Sequence, residues 1–411
     1  MAKRAIKKRK KKERGAVAVM PSRQTASPAV NPPGTRPNAP APHLVKIDLD
    51  LIVSNLLLKG NREFIQDIID KRNGNDLVSL VLRDRAQLMP NIMSPLFDVL
   101  RSIGKKDNID LFISTTGGAT EVPWRIVSLI REFCKKYTAI IPFLAVSAGT
   151  HIALGADTLV MSEISTLGPV DPTTHHPLLP KDEKGKPIPV SVEDLKNCIK
   201  FISQQLKDQN KDQDKEERYS SSDMTNIVGK LFEHIEPLAI GAVERSYALS
   251  RLVTRRVLET HLDPAKDKEK INRIVNRIGG EYFSHAFPIT VRDVEHDLQL
   301  DVERPSDELF DSIWTLYEYY RSAFRQSPDI RLTLGTKEGG RPQERNIHFI
   351  LNMLGYVDSV SERRVLVELR EMKKDPDSDK VMQTPVLTKW IKPKDGEPSD
   401  ASSFFEWRAP S

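Results

Sequence analysis

Apolar and polar residues alternate along the central part of the chain in the pattern of an α/β fold. Short apolar runs, with the length and β-branched content of buried strands, occur at 76–82, 109–114, 139–146 and 158–161. Between and after them, apolar residues recur at helical spacing over 91–103, 119–136 and 147–156. This succession predicts a parallel sheet that is covered by helices, with a functional site at the carboxyl ends of the strands.

The pattern after this region becomes mainly helical. Helical spacing continues over 192–206, 223–261, 266–278, 290–298 and 307–324, with a kink expected near Pro237. Two further apolar runs, 347–354 and 364–371, predict a hairpin that covers a sheet edge. The chain is therefore divided into a disordered basic and Pro-rich tail at 1–42, an α/β domain with a helical extension at 43–330, a β-hairpin appendage at 331–375 and a disordered tail at 376–411.

The positive charge of the chain is concentrated at its start. The net charge is only +5, but nine of the first fourteen residues are Lys or Arg. Residues 3–14 therefore predict a solvated segment that makes weak, salt-sensitive contact with polyanions. The prolines between positions 21 and 42 indicate an extended linker.

Several classes of protein are disfavoured by what the sequence lacks. No run reaches the roughly 18 uninterrupted apolar residues of a transmembrane helix, and the basic start lacks the apolar core of a signal peptide. Cys134 and Cys198 have neither CxxC spacing nor His neighbours, which indicates reduced thiols. We therefore expect a cytoplasmic protein that uses no metal and no cofactor.

Ser147 ends the apolar run 139–146, and a helical pattern of small residues follows it. A serine on a sharp strand-to-helix turn presents its Oγ to a substrate, and the next backbone amides open toward a developing oxyanion. In the local pattern Ala145-Val-Ser147-Ala-Gly149, Ala replaces the first Gly of the G-x-S-x-G motif. The pattern alone is also typical of tight packing, so it needs support from elsewhere in the chain.

That support comes from Gly117 and Gly118, which follow the strand at 109–114. Glycines at the carboxyl end of a strand let the backbone approach a substrate closely and leave amides free to donate. The two turns together predict one site, with Ser147 as the nucleophile and the amides of Gly117, Gly118 and Ala148 as oxyanion donors.

Three segments carry a resemblance to a known family. The segments 113–118 (ISTTGG), 146–157 (VSAGTHIALGAD) and 166–172 (TLGPVDP) resemble the serine dehydrogenase proteinase family. This family is a branch of the superfamily of signal peptide peptidase A and the Clp peptidase, which has a crotonase-like fold. The resemblance is strong over 76–172 and weaker to about 302. It implies a serine peptidase that is active as a homo-oligomer on peptides or unfolded protein, with Ser147 as the nucleophile.

The base that activates Ser147 stays open in the sequence. Clp-type peptidases use a histidine after the nucleophile helix, where this chain has Asp171, His175 and His176. Their spacing departs from the Clp-type triad. Signal peptide peptidase relatives use a lysine instead, and Lys230 lies in a segment, 229–241, that resembles the family.

Lys230 is therefore the preferred base, in a Ser-Lys dyad. Weaker alternatives are Lys196, Lys200 and His285, and His151 is expected to line the pocket. Ser165 is a candidate for orienting the base amine, and Asp171 either orients a base or caps the turn before Pro172.

Two other functions remain open beside the peptidase. The first is a catalytically inactive scaffold or adaptor with the same fold, which binds partners through its tails. The second is acyl-CoA chemistry on a crotonase-like fold, which would also use two oxyanion amides but would not need Ser147. The presence of Ser147 together with the Gly pair favours the peptidase.

Overall fold

A computed structural model describes most of the chain between residues 60 and 393. The continuous part comprises 60–171 and 237–393 without 283, 339–340, 376–377 and 379. Short stretches are also described, at 44–49, 53, 173–174, 182–183, 185, 190–191, 197, 200–201, 204, 225–226, 229–230 and 404–408. Contacts divide the chain into two units, residues 1–45 with 407–411 and residues 46–406. The fold and the site described below belong to the second unit.

The helices in this part of the chain agree closely with the helical patterns of the sequence. They are α1 Arg62–Lys71, α2 Met93–Ile103, α3 Val122–Phe133, α4 Ala148–Leu154, α5 Pro237–Leu258, α6 Lys268–Asn276, α7 Val291–Asp293 and α8 Asp307–Arg325. A 3₁₀ turn at Pro90–Ile92 precedes α2, and π turns at Arg277–Glu281 and Val294–Leu298 follow α6 and α7.

Local capping explains where two of these helices begin. Thr290 and Asp293 form a reciprocal capping box at α7. Ser306 Oγ accepts a hydrogen bond from the Leu309 amide at the start of α8.

The strands are short around the Ser147 turn and long near the end of the chain. They are β1 Leu44–Asp48, β2 Asp76–Leu82, β3 Lys106–Ser114, β4 Cys134–Ile141, β5 Leu144–Ala145, β6 Thr158–Met161, β7 Thr166–Leu167, β8 Thr173–Thr174, β9 Val190–Ser191, β10 Ile289–Thr290, β11 Val302–Glu303, β12 Asp329–Glu338, β13 Arg341–Asp358, β14 Arg363–Lys374, β15 Val381–Ile391 and β16 Phe404–Arg408.

One nine-stranded sheet forms the centre of the fold. Its order is β11-β6-β4-β3-β2-β13-β14-β15, with β12 paired to β13. The five strands from β11 to β2 are parallel, and their inner residues are almost completely buried. Because consecutive parallel strands need crossovers, α2 and α3 connect β2, β3 and β4. The predicted α/β fold, a parallel sheet covered by helices, is confirmed.

The antiparallel half of this sheet differs from the prediction of an appended hairpin at 331–375. The predicted pairing of β13 with β14 is present, and β13 also covers the edge of β2. However, β12 and β15 extend the same sheet on either side. Strand β15 lies in the segment that we expected to be a disordered tail. It was missed because Pro385 interrupts its apolar positions and the stretches on either side of it are charged and polar.

A buried polar cluster holds α8 against the sheet. Asn61 Nδ2 donates to Tyr320 Oη and to Asp358 Oδ2, both at 2.8 Å, and Tyr320 Oη donates to the same carboxylate oxygen at 3.2 Å. Burial raises the pKa of Asp358 to about 6, although Arg363 lies nearby. The cluster therefore fixes the orientation of α8, and with it which face of this helix lies at the carboxyl ends of β2 and β3.

A second, three-stranded sheet determines where the candidate site forms. Its order is β10-β7-β5, with β5 parallel to β7 and β10 antiparallel to it. Ser147 follows β5, Asp171 follows β7, and His285 precedes β10. Three segments that are far apart in sequence are thereby brought to one end of a small sheet.

Candidate active site

The backbone of Ser147 has an unusual conformation for a residue with a side chain. Its φ is 54° and its ψ is −116°, in the turn between β5 and α4. Such conformations are rare for residues other than glycine, and they occur preferentially at functional sites. Among the described residues, Ser147 Oγ has no hydrogen-bond partner. The hydroxyl is thus presented on a strained strand-to-helix turn, as the sequence predicts.

Gly117 is packed directly against this serine. Its φ is 105°, and a Cβ at this position would lie 2.8 Å from Ser147 Cβ and 3.2 Å from Ser147 Oγ. Both the backbone conformation and the contact require glycine. Its amide, however, donates to Thr115 Oγ1 at 3.1 Å. The prediction that Gly117 supplies an oxyanion donor is therefore not supported by its hydrogen bonding.

The amides of Gly118 and Ala148 remain available as donors. Within the described part of the chain, neither amide donates to a protein acceptor. Ala148 is the first residue of α4, where an amide has no partner inside the helix. Two such amides beside a nucleophile form the kind of site that stabilises a tetrahedral oxyanion.

The reason for glycine at position 118 is also different from the expected one. A Cβ there would lie 2.3 Å from the backbone nitrogen and oxygen of Leu88. The two segments are joined by hydrogen bonds from Leu88 N to Gly117 O at 2.8 Å and from Ala119 N to Leu88 O at 2.9 Å. Close approach of protein backbone, rather than of substrate, thus requires Gly118.

Asp171 and His285 form an ion pair beside Ser147. His285 Nδ1 lies 2.9 Å from Asp171 Oδ1, and the Asp171 side chain is only 8% exposed. The hydrogen bond that His285 donates to Asp171 raises the pKa of His285 above its usual value. When neutral, His285 keeps its proton on Nδ1, next to the carboxylate, and its lone pair is on Nε2. This is the arrangement of a histidine base that is oriented by a carboxylate.

One small cavity of about 80 Å³ brings these groups together. Its lining includes Gly118, Ser147, Ala148, His151, Asp171 and His285. Candidate nucleophile, oxyanion donors and base therefore share one space.

His151 lies on the wall of this cavity, one helical turn after Ser147. Its Nε2 is 3.0 Å from Thr254 Oγ1, and that hydroxyl donates to Ser250 O. His151 Nε2 must therefore be the donor, which leaves the lone pair on Nδ1 without a partner. Burial lowers the pKa of His151 to about 4, so the ring is neutral at pH 7.

Thr150 fastens the nucleophile turn to the segment that carries Asp171. Its Oγ1 lies 2.9 Å from Ala145 O and 2.8 Å from Gly168 O, and it accepts a hydrogen bond from the Gly168 amide. Because these contacts are buried, the turn and the Asp171 segment are held in a fixed relation.

The remaining predicted site residues are not in this cavity or are not described. Ser165 Oγ donates to Ile141 O at 2.6 Å and accepts from the Ser162 amide, so it has a structural role. Lys230 and Lys200 are exposed residues of helical segments. Three further candidates lie outside the described residues: His175, His176 and Lys196.

The described part of the chain lacks two further features. No helix there is long and apolar enough to cross a membrane. The same residues contain no group of three His, Cys, Asp or Glu that is arranged to hold a metal ion.

Two proteases of known structure match this chain at low overall similarity. A mutant of the 1510-N membrane-bound stomatin-specific protease in complex with a substrate peptide is 14% identical, with a TM-score of 0.30. The match covers 58% of this chain and 80% of that chain. A ClpP1 mutant from Listeria monocytogenes is 12% identical, with a TM-score of 0.28, and the match covers 59% and 98% of the two chains.

Two curated relatives come from Methanocaldococcus jannaschii. The uncharacterized protein MJ0137 is 25% identical over 228 residues, which are 55% of this chain and 63% of the relative. The uncharacterized protein MJ1495 is 32% identical over 114 residues, 25% and 39% of the two chains. The chain thus spans less than two thirds of the length of each relative.

The family comparison agrees with the resemblance inferred from the sequence motifs. Residues 93–181, which contain the Gly117–Gly118 segment, the Ser147 turn and Asp171, match the family of ClpP-like SDH-type serine proteinases.

Proposed function

We propose that this protein is a serine peptidase that hydrolyses peptide bonds through an acyl-enzyme on Ser147. The observation that carries the proposal is the strained turn of Ser147, whose hydroxyl shares one cavity with the amides of Gly118 and Ala148. None of these three groups has a hydrogen-bond partner among the described residues. The family match over residues 93–181 supports the same reaction class.

The reaction begins with attack of Ser147 Oγ on the carbonyl carbon of the scissile peptide bond. The hydroxyl proton passes to the base, and the oxyanion is stabilised by the amides of Gly118 and Ala148. The base then returns the proton to the leaving amine as the C–N bond breaks. Water then attacks the acyl-enzyme carbonyl while the base takes its proton. The base returns this proton to Ser147 Oγ as the ester C–O bond breaks and the acid product leaves.

We assign the role of the base to His285, with Asp171 as the orienting group. The support is their 2.9 Å pair, and the place of both residues in the cavity of Ser147. His285 Nε2, opposite the nitrogen that bonds Asp171, is the atom that takes the proton. Lys230, the base preferred from the sequence, becomes the alternative, and a Ser-Lys dyad would require its helical segment to reach Ser147.

Hydrolysis of peptides by the wild type and by Ser147→Ala tests the proposal. We expect Ser147→Ala to lose activity while its thermal unfolding stays near that of the wild type, since only Oγ is removed. Ser102→Ala, which removes a hydroxyl that does not line the cavity, is the matched control. Equal turnover by Ser147→Ala would contradict the peptidase. A protein that binds peptides without cleaving them would instead be the inactive scaffold.

Three further expectations about partners belong to this proposal. We propose that the protein assembles as a homo-oligomer, that its substrates are peptides or unfolded proteins, and that residues 3–14 contact polyanions weakly. Light scattering of the purified chain tests the first. Deletion of 1–15 tests the last, because it should weaken only salt-sensitive binding and leave cleavage of a neutral peptide unchanged.

A further inference from the structure

A larger cavity, of about 480 Å³, lies at the carboxyl ends of β2 and β3. One wall is formed by the segment 81–85 at the end of β2, and the opposite wall by the last two turns of α8. We call it the arginine cavity, because Arg83, Arg85, Arg321 and Arg325 all line it. It shares no lining residue with the cavity of Ser147.

The charges in the arginine cavity are not balanced. The lining contains four arginines and one carboxylate, Asp84, and Arg83 Nη1 donates to Asn352 Oδ1 at 3.5 Å. Arg321 forms an ion pair with Glu318 on its own helix. Within the described part of the chain, Arg85 and Arg325 make no ion pair and no side-chain hydrogen bond. Because like charges that converge on one space repel each other, this arrangement favours an anion between them.

The backbone of Arg85 adds a second, independent observation. Its φ is 70°, which is uncommon for a bulky side chain. The turn is closed by a hydrogen bond from Ala86 N to Arg83 O at 2.9 Å. Sparsely populated backbone conformations of this kind persist mainly at ligand sites and switch regions.

The arginine cavity is connected to the candidate active site through shared loops. Its lining includes Thr116, directly before the Gly117–Gly118 segment, and Leu144, at the start of the strand that leads to Ser147. The loop that carries Arg83 and Arg85 continues to Leu88, which is hydrogen-bonded to both Gly117 and Ala119. The arginine loop and the oxyanion loop are therefore one hydrogen-bonded unit.

The linings of the two cavities, represented by Thr116 and Gly118, come close together on the scale of a peptide. Thr116 and Gly118 are two residues apart, so that their Cα atoms are at most about 7.6 Å apart. An extended peptide advances about 3.3 Å per residue. A substrate group in the arginine cavity would therefore belong to a residue about one to three positions from the scissile bond.

We propose that the arginine cavity binds a carboxylate of the substrate, which is either an Asp or Glu side chain or the C-terminal carboxylate. Guanidinium groups match a carboxylate in geometry as well as in charge. The buried rings of Tyr317 and Phe324 also line the cavity and offer an apolar surface for the methylene groups of such a residue. This proposal rests on the proposed peptidase function and gives it a substrate preference for acidic peptides.

The test measures peptide binding separately from hydrolysis. Fluorescein-labelled short peptides carry a single Glu that is scanned through a neutral sequence, and each has a twin with Gln at that position. A second pair differs only in a free or an amidated C-terminus. Binding to Ser147→Ala is measured by fluorescence anisotropy at low salt. The variants are Arg85→Gln/Arg325→Gln, its two single substitutions, and Arg256→Gln as an exposed control on α5.

We expect one acidic peptide to bind about tenfold more tightly than its neutral twin. This ratio should fall toward one in Arg85→Gln/Arg325→Gln and remain in Arg256→Gln. The Glu scan and the C-terminal pair distinguish the two sources of the carboxylate. If the double variant fails to fold by circular dichroism, the single variants should each lower the ratio.

Equal or undetectable binding of all twins would overturn the proposal, as would a preference that survives the arginine substitutions. The failure of the proposed function is a different result: acidic peptides would bind preferentially to Ser147→Ala, but the wild type would not cleave them. Cleavage without any acidic preference would leave the peptidase and remove the carboxylate site.

Discussion

His285 Nδ1 lies 2.9 Å from Asp171 Oδ1, although 114 residues separate the two in sequence. The contact exists because β10, just after His285, pairs with β7, just before Asp171. Since β5 also pairs with β7, the strand that leads to Ser147 belongs to the same small sheet. The three groups occur along the chain in the order serine, aspartate and histidine.

Replacing Asp171 by Asn should change the pH dependence of catalysis as well as its rate. Asp171 raises the pKa of His285, and a base must be neutral to accept a proton, so wild-type kcat/KM should fall as pH decreases through a value above 6.5. In Asp171→Asn this acid limb should move to lower pH, and the maximum should fall by about 10³-fold or more.

The measurement is the pH profile of kcat/KM for the two proteins. Glu269→Gln, which removes an exposed carboxylate from α6, should leave the profile unchanged. If the acid limb of Asp171→Asn had the same midpoint as that of the wild type, Asp171 would not influence the pKa of the base.

Single substitutions should distinguish His285 from Lys230 as the base. We expect His285→Gln to lower kcat by about 10²–10⁴-fold, the usual contribution of a positioned base. Lys230→Arg should then retain activity, because an exposed lysine outside the cavity takes part in no proton transfer of the reaction.

If Lys230 is the base, Lys230→Arg should be as inactive as Lys230→Ala, since a guanidinium does not release its proton near pH 7. Steady-state kinetics of these variants decides between the two. Full activity of both His285→Gln and Lys230→Ala would direct attention to His175 and His176.

Gly118→Ala should reduce the stability of the fold and not only the rate. The new Cβ would lie 2.3 Å from the backbone of Leu88, so the Leu88 and Gly118 segments must separate. We expect a loss of about 2 kcal/mol in the free energy of unfolding, typical of overpacking.

Urea unfolding measures this loss, with Gly241→Ala as the control. Gly241 lies in helix α5 with no atom within 4 Å of its added Cβ, so the control should gain up to about 1 kcal/mol. A Gly118→Ala protein as stable as the wild type would contradict the packing argument.

The buried His261 should make the protein less stable in mild acid. Burial lowers its pKa to about 4, whereas the unfolded chain binds the proton below about 6.5. The stability contributed by the neutral form is complete above pH 6.5 and is lost as pH falls toward 4, by about 1.4 kcal/mol per pH unit.

Urea unfolding of the wild type and His261→Gln at several pH values isolates this contribution. The difference between the two proteins should be constant above pH 7 and should shift in favour of His261→Gln below pH 6. A difference that does not depend on pH would show that His261 binds a proton equally in both states.

The elements near Ser147 could be predicted because their signals are local. Strand β2 and helices α2, α6 and α8 follow the period of their apolar residues, and the Ser147 turn lies between a strand and a helix of small residues. Strand β15 could not be predicted in this way, since pairing with β14 stabilises a largely exposed segment that Pro385 interrupts.

The candidate base and the arginine cavity depend on contacts between distant segments. Asp171 and His285 were both candidates in the sequence, but their pairing requires the two-residue strands β7 and β10, which carry no periodic signal. Arg321 and Arg325 are four residues apart on α8, which predicts a shared face. That this face meets Arg83 and Arg85 depends on the docking of α8 by Tyr320 and Asp358.

Covalent labelling measures directly whether Ser147 is an activated nucleophile. The wild type is treated with a fluorophosphonate probe, and the modified residue is located by tandem mass spectrometry. We expect one adduct on Ser147 Oγ in the wild type, no adduct in Ser147→Ala and much slower labelling of His285→Gln. A wild-type protein that remains unlabelled at Ser147, or labelling that persists in Ser147→Ala at the same rate, would contradict this expectation.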